Sequence, residues 1–205
     1  MGQATCSASF LKKHKMKPLK KISQIALIAS SLLLIIAFFV PIWRIDLWAP
    51  QYPEGLSMSI WLSKLSGQVD IINGLNHYIG MSHIKEEMFP EFKILPYAVA
   101  VIIALGVLTG LSKNRKMLIG FLTILILSGV VAMYDFWSWG YEYGHNLDDS
   151  AAIKVPGMAY QPPLIGYKEL LNFGAYSIPD IGGWLFVLLG IVAISTLIFE
   201  IKTNK

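Results

Sequence analysis

Four apolar runs set the pattern of this chain: Ile22 to Ile42, Ile94 to Leu111, Met117 to Trp137 and Ile181 to Phe199. Each comes close to the ~20 residues a helix needs to cross a hydrocarbon core, and only Asp135, near the end of the third, puts a charge inside one. Between the first two runs the period changes. Leu56, Met58, Ile60 and Leu62 alternate with Ser57, Ser59, Trp61 and Ser63, the spacing of a half-buried strand. The stretch before it, PIWRIDLWAPQYPEG, is dense in proline and aromatics and reads as an irregular segment lying on a membrane surface. The long connection after the third run is rich in turn residues and offers one short helical stretch, around Gly166 to Phe173.

The predicted organisation is a basic tail (1–21), a first span (22–42), a first exported loop (43–93), a second span (94–111), a short link (112–116), a third span (117–137), a second exported loop (138–180), a fourth span (181–199) and a short tail (200–205). The fold class is an all-α membrane protein with four transmembrane helices, its two loops packing together as a small cap with minor β content. The halves share a topology, a span out, a loop and a span back, without a residue-level repeat. Gly106 and Gly110 form a small-xxx-small pattern, with Gly120, Ser128 and Gly129 as small surfaces on the next span.

Composition agrees: 55% of residues are hydrophobic and 15% charged, too apolar for an ordinary soluble domain. Charge then orients the chain. The first tail carries Lys12, Lys13, Lys15, Lys17, Lys20 and Lys21, the link carries Lys113, Arg115 and Lys116, and the last tail carries Lys202 and Lys205. The segment Trp43 to Phe92 instead holds six acids against three bases, and Ser138 to Ser177 four against two. Basic short segments stay in the cytoplasm, so both termini are expected inside and both long loops outside. The net charge of +4 is thereby a topology signal with some affinity for anionic lipid heads, and it calls for no nucleic acid. Trp43, Trp48, Phe89, Phe92, Tyr97, Tyr134, Trp137, Trp139, Tyr141 and Tyr176 gather where the spans meet the outer face, as an interfacial belt does. The first span has no small-x-small cleavage site and reads as an uncleaved signal anchor. MKPLKKISQ from Met16 resembles a natural start, which makes the first fifteen residues a disordered lead or an artefact of start assignment.

No phosphate loop, dinucleotide fingerprint, zinc-protease or serine-hydrolase motif occurs, so no catalytic residue is assigned. Cys6 is the single cysteine; an intrachain disulfide, an Fe–S cluster, c-type haem attachment and a cysteine-based copper centre held by this chain alone are excluded. Asp135 reads as a water-exposed helix end. The candidate chemistry lies in the loops. In NGLNHYIGMSHI, residues 73–84, and just after it, His77, Met81, His83 and Met88 fall within twelve residues, and imidazole with thioether is a ligand set suited to copper. On a helix His77, Met81 and Met88 share a face; on an extended segment His77, Met81 and His83 do. His145 and Met158 of the second loop are further candidate ligands if the loops meet. The competing reading makes these methionines and histidines packing and hydrogen-bonding residues of the cap. A separate surface is expected for docking a protein partner, with Trp48, Tyr52, Trp61 and Tyr160 as its aromatic anchors; the alternative reading makes these aromatics membrane-interface anchors.

The strings WRIDLWAPQYPEGL, NGLNHYIGM, PEFKILPY, PGMAYQPPLIG and NFGAYSIPDIGGW resemble a family of small multi-pass membrane proteins encoded in bacterial nitrous-oxide-reductase gene clusters of the clade II type, over about Pro41 to Trp184. The resemblance implies an inner-membrane accessory protein facing the periplasm, which docks or matures the copper enzyme nitrous oxide reductase or meets its maturation and electron-transfer proteins. It also raises the expectation of copper handling. The family supplies no catalytic residues to carry over. The alternatives are a quinol-linked electron-transfer subunit, for which Asp135, His77 and the belt tyrosines would matter, and a plain membrane anchor for a periplasmic complex.

Overall fold

The computed structural model describes residues 18–153, 155–170 and 172–203. Four helices are long and apolar enough to cross a membrane. The first run becomes α1 (Lys21–Leu33), continued by a 3-10 turn over Leu34–Phe38. The second becomes α3 (Glu91–Ser112), the third α4 (Arg115–His145) and the fourth α5 (Ile181–Lys202). A short helix, α2 (Val69–Tyr78), belongs to the first long loop. Lys113 ends α3 in the left-handed conformation at φ 57°, and Asn114 at once caps α4, its side chain accepting the Lys116 N–H at 2.9 Å. Asp180 caps α5 in the same way through Ile181 N–H.

The long helices form one layer: α1 lies against α3 and α5, and α4 touches both α3 and α5. Leu27, Leu34, Leu118, Phe121, Leu189 and Ala193 fill its centre. Gly106 and Gly110 do supply a close approach, but to α1. A Cβ at Gly106 would run into Ser31, and one at Gly110 would lie 2.6 Å from Ile28 Cγ1. The expected small surface on the third span is different: Gly120 and Gly129 have nothing within 4 Å of a built Cβ and face outward. The described parts of the three basic segments meet at one end of this layer. There Leu19 N–H donates to Lys113 O at 2.9 Å, and the fully buried Glu200 carboxylate accepts from Lys20 N–H at 2.8 Å and Ser23 Oγ at 2.6 Å. Arg115 stands 3.8 Å from that carboxylate and also donates to the Glu200 carbonyl. The charges in the expected cytoplasmic ends thus do more than mark topology; they tie α1, α4 and α5 together.

The other end carries a cap built on a five-stranded antiparallel sheet of order β3-β2-β1-β5-β4, more β structure than the pattern of the loops predicted. The strands are β1 (Trp43–Ala49), β2 (Tyr52–Ile60), β3 (Leu65–Gly67), β4 (Gly166–Leu170) and β5 (Phe173–Pro179). The alternating stretch around Leu56 and Met58 is strand as its period required. Two other expectations fail. WRIDLWA is the central strand, not an irregular surface segment, and Gly166 to Phe173 is a hairpin, not a helix. The prolines that argued against a strand sit beside it: Pro50 is in the β1–β2 turn, and Pro53 and Gly55 (φ 80°) fall where the register shifts, between Leu47↔Leu56 and Ala49↔Tyr52. A bulge leaves room for a residue without an N–H. The β1–β5 pairing joins segments some 130 residues apart, so the two long loops form one sheet.

Sheet and helices are also joined directly. Gly182 N–H donates to Pro41 O at 2.8 Å and Asp180 N–H to Ile42 O at 3.1 Å. The α4 helix is 31 residues long, about 46 Å at 1.5 Å per residue against a hydrocarbon core of about 30 Å. It therefore runs past the boundary expected at Trp137 and carries Trp139 and Tyr143 into the cap. Trp139 stacks on Tyr143 at 4.8 Å and meets Phe89 at 5.2 Å, while Trp43 sets its edge on Phe136 at 5.3 Å. Several residues of the expected aromatic belt are thus the filling between cap and helices, whereas Tyr134, Trp137 and Tyr141 stay exposed along α4.

Candidate functional site on the cap

The cap has a core face and an open face, and strand register decides which residue goes where. Ile45, Leu47 and Ala49 of β1 lie beside Leu56 and Met58 of β2 and Ala175 and Ser177 of β5. Their face is buried against α2, the end of α4 and the second loop, around Ile72, Ile79, Ile84, Tyr143 and Tyr160. The alternate positions make the open face. Its rows are Ser59–Arg44–Ile178, Ser57–Asp46–Tyr176–Tyr167 and Trp48–Gly174–Glu169. Arg44 Nε lies 3.0 Å from Asp46 Oδ2. Trp48 and Tyr167 are 44% and 62% exposed, and the Tyr167 ring lies over Gly174, where an added Cβ would stand 2.9 Å from its hydroxyl.

Of the four expected docking aromatics, only Trp48 is strongly exposed there. Tyr160 is a correction: it is 1% exposed in the cap core, held as its N–H donates to Gly144 O at 2.9 Å. Tyr52 packs against the same core. Trp61 is half-buried, with Nε1 donating to Ser66 Oγ at 2.7 Å and the Lys64 ammonium 4.7 Å above its ring. Tyr167 was missed, because a stretch read as helix gave no sign of which side its aromatic would take.

The stretch NGLNHYIGMSHI ends α2 and turns back on itself. Gly80 takes φ 79°, Met81 N–H donates to Asn76 O at 3.0 Å, and Asn73 grips the backbone of Ile84 from both sides, donating to its carbonyl at 2.9 Å and accepting its N–H at 2.7 Å. Asn76 Nδ2 donates to Tyr143 Oη at 2.6 Å. The second loop closes over the turn, as Asp148 N–H donates to Gly80 O at 2.8 Å and Ile153 N–H to Tyr78 O at 2.9 Å. The two long loops therefore touch at this stretch.

The turn sorts the expected copper ligands. His77 and His83 both stand outside with ring centroids 6.0 Å apart, two of the three side chains that the extended reading placed on one face. Met81, expected beside His77, is instead 8% exposed and packed in the cap core; the glycine turn reverses its direction. Met88 is exposed in a 3-10 turn, Glu86–Met88. Met158 packs against the core. His145 stacks on Tyr141 at 4.0 Å, its Nδ1 2.8 Å from Tyr141 O. Among the described residues no three His, Cys, Asp or Glu side chains gather as a metal-binding group; Cys6 lies outside the described residues.

A cleft of about 430 Å³ opens where α1 gives way to the cap, lined by Phe38, Phe39, Trp61, Leu62, Ser63, Lys64 and Pro96. Neither His77, Asp135 nor a belt tyrosine, the residues a quinol site was expected to use, is in its lining. Compared with the models of known families and with curated proteins, the chain matches none of them.

Proposed function

We propose that this chain is an integral-membrane accessory protein whose cap docks an exported protein partner, and that the partner is the copper enzyme nitrous oxide reductase or one of its maturation or electron-transfer proteins. The observation that carries the docking reading is the open sheet face, where Trp48 and Tyr167 flank the Arg44–Asp46 pair on a rigid antiparallel frame. Exposed aromatics beside a positioned arginine are the residue types that dominate binding energy at protein interfaces. The basic ends of α1, α4 and α5 sit opposite the cap, which supports a cytoplasmic location for both termini and a periplasmic one for the cap. The partner class is supported by the sequence resemblance spanning Pro41 to Trp184.

The test is purification from native membranes, with and without substitutions on the open face. The expected result is co-purification of the reductase or a maturation protein, lost in Trp48→Thr/Tyr167→Ser. Deletion of the gene is expected to impair nitrous oxide reduction; unchanged copper loading and unchanged reduction in the deletion strain would sink the proposal.

A further inference from the structure

The hydrogen bonds around residues 73–84 leave two side chains of the turn side by side at the surface, and both are imidazoles. We propose that His77 and His83 form a two-imidazole site for a single copper ion on the cap. An ion held by one nitrogen of each ring, at about 2.0–2.1 Å per bond, separates the ring centres by roughly 5–6 Å. The rings stand 6.0 Å apart, so rotation about side-chain bonds brings a nitrogen of each to the ion without moving the backbone. The backbone is fixed on both sides: His77 lies on the last turn of α2, and His83 immediately precedes Ile84, which Asn73 clamps.

The donor set selects the ion. Calcium and magnesium take oxygen ligands. Nitrogen donors bind copper(II) more tightly than its divalent neighbours. Both rings are exposed, so the remaining coordination positions face outward, toward water or a docked protein. The site rests on the docking reading only for what completes the coordination shell. An exposed ion with an incomplete shell is one that a partner is able to take.

The experiment uses the full chain in detergent, carrying Cys6→Ser and His14→Ala so that the N-terminal thiol and imidazole add no competing equivalents. Copper(II) chloride is the only probe, with binding followed by equilibrium dialysis and by the nitrogen splittings in electron paramagnetic resonance. One equivalent with two nitrogen ligands is expected. His77→Ala and His83→Ala should each weaken binding at least about tenfold, while Met81→Leu, which keeps the core volume, should leave it unchanged. Both histidines are exposed, so unaltered circular dichroism is expected to show that these variants fold. Absence of stoichiometric copper, or affinities that survive both histidine substitutions, overturns the site. Because no partner is present, this failure is separate from a failure of the cap to capture one.

Discussion

The helical layer and the cap are held together by different physics. Inside the layer most contacts are apolar side chains meeting one another, Leu27, Leu34, Leu118 and Leu189 among them, and lipid tails are as apolar as leucine, so burial alone gives such helices little reason to associate. Shape at the glycines and the buried charge cluster at Glu200 must supply what hydrophobicity does not. The cap lies outside the four long apolar helices, and its core gains from burial in the ordinary way. Polar clamps then specify it: Asn73 on Ile84, Asn76 on Tyr143, Trp43 on Ser177. The layer thus depends on a few close approaches, whereas the hydrogen bonds of the cap fix where its exposed residues stand.

The severest test of that contrast is Arg115→Ala. It removes the cation beside a carboxylate that is completely buried, and breaking one partner of a buried pair costs about 3–5 kcal/mol. Unfolding in detergent should show this loss, with amide exchange rising first at the basic ends of α1, α4 and α5 and the cap strands keeping their protection. Simultaneous loss of protection in the cap would mean that layer and cap are one cooperative unit. Asn73→Ala is the counterpart on the other side. It strips two hydrogen bonds from the buried backbone of Ile84, each unsatisfied group costing about 1–3 kcal/mol. A net loss of about 2–3 kcal/mol is expected, with faster exchange over residues 79–85 and no change in the helices.

A smaller effect separates two glycines that look alike in the sequence. Gly106→Ala pushes a methyl into Ser31 of α1, and overpacking of this kind costs about 1–3 kcal/mol. Gly129→Ala meets nothing within 4 Å and should be neutral or slightly stabilising, since alanine is the better helix former. Equal thermal shifts for the two variants would dispose of the idea that shape at α1 and α3 holds the layer.

That pair also shows what the sequence could and could not reveal. Span existence was legible because hydropathy is local, and the four long helices stand where the apolar runs are. Which face of a span meets a neighbour was not, since Gly106, Gly120 and Gly129 all sit among leucines and isoleucines. In the cap, β2 was readable from its alternation over Leu56 to Ile60, but β1 and β5 meet across most of the chain, and no local period encodes that pairing. How far α4 continues beyond the apolar run was not legible, for a related reason. Gly140 and Gly144 weaken a helix on propensity, yet a Cβ at Gly144 would collide with the Gln161 backbone, so packing with the second loop requires the glycine. The histidine pair was half legible: its members were chosen from the sequence, but the turn at Gly80 that brings His83 to His77 and sends Met81 inward depends on contacts with the second loop.

Trp48→Thr should cost less stability than the changes at Arg115, Asn73 or Gly106 and is the sharpest test of what the cap presents. The side chain is 44% exposed on the open face, and threonine keeps the β-branched shape that a central strand favours, so unfolding should shift by no more than about 0.5–1 kcal/mol. Partner capture should nevertheless fall by at least about 2 kcal/mol of affinity, as expected for an aromatic at the centre of an interface. Had Trp48 been an ordinary packing residue, the two numbers would move together. A stability loss as large as that of Asn73→Ala, with capture unchanged, would assign Trp48 to the architecture of the sheet and leave Tyr167 and Arg44 as the residues to examine on the open face. A neutral fold with lost capture would instead show that the polar clamps hold the frame still while the aromatics on its far side bind.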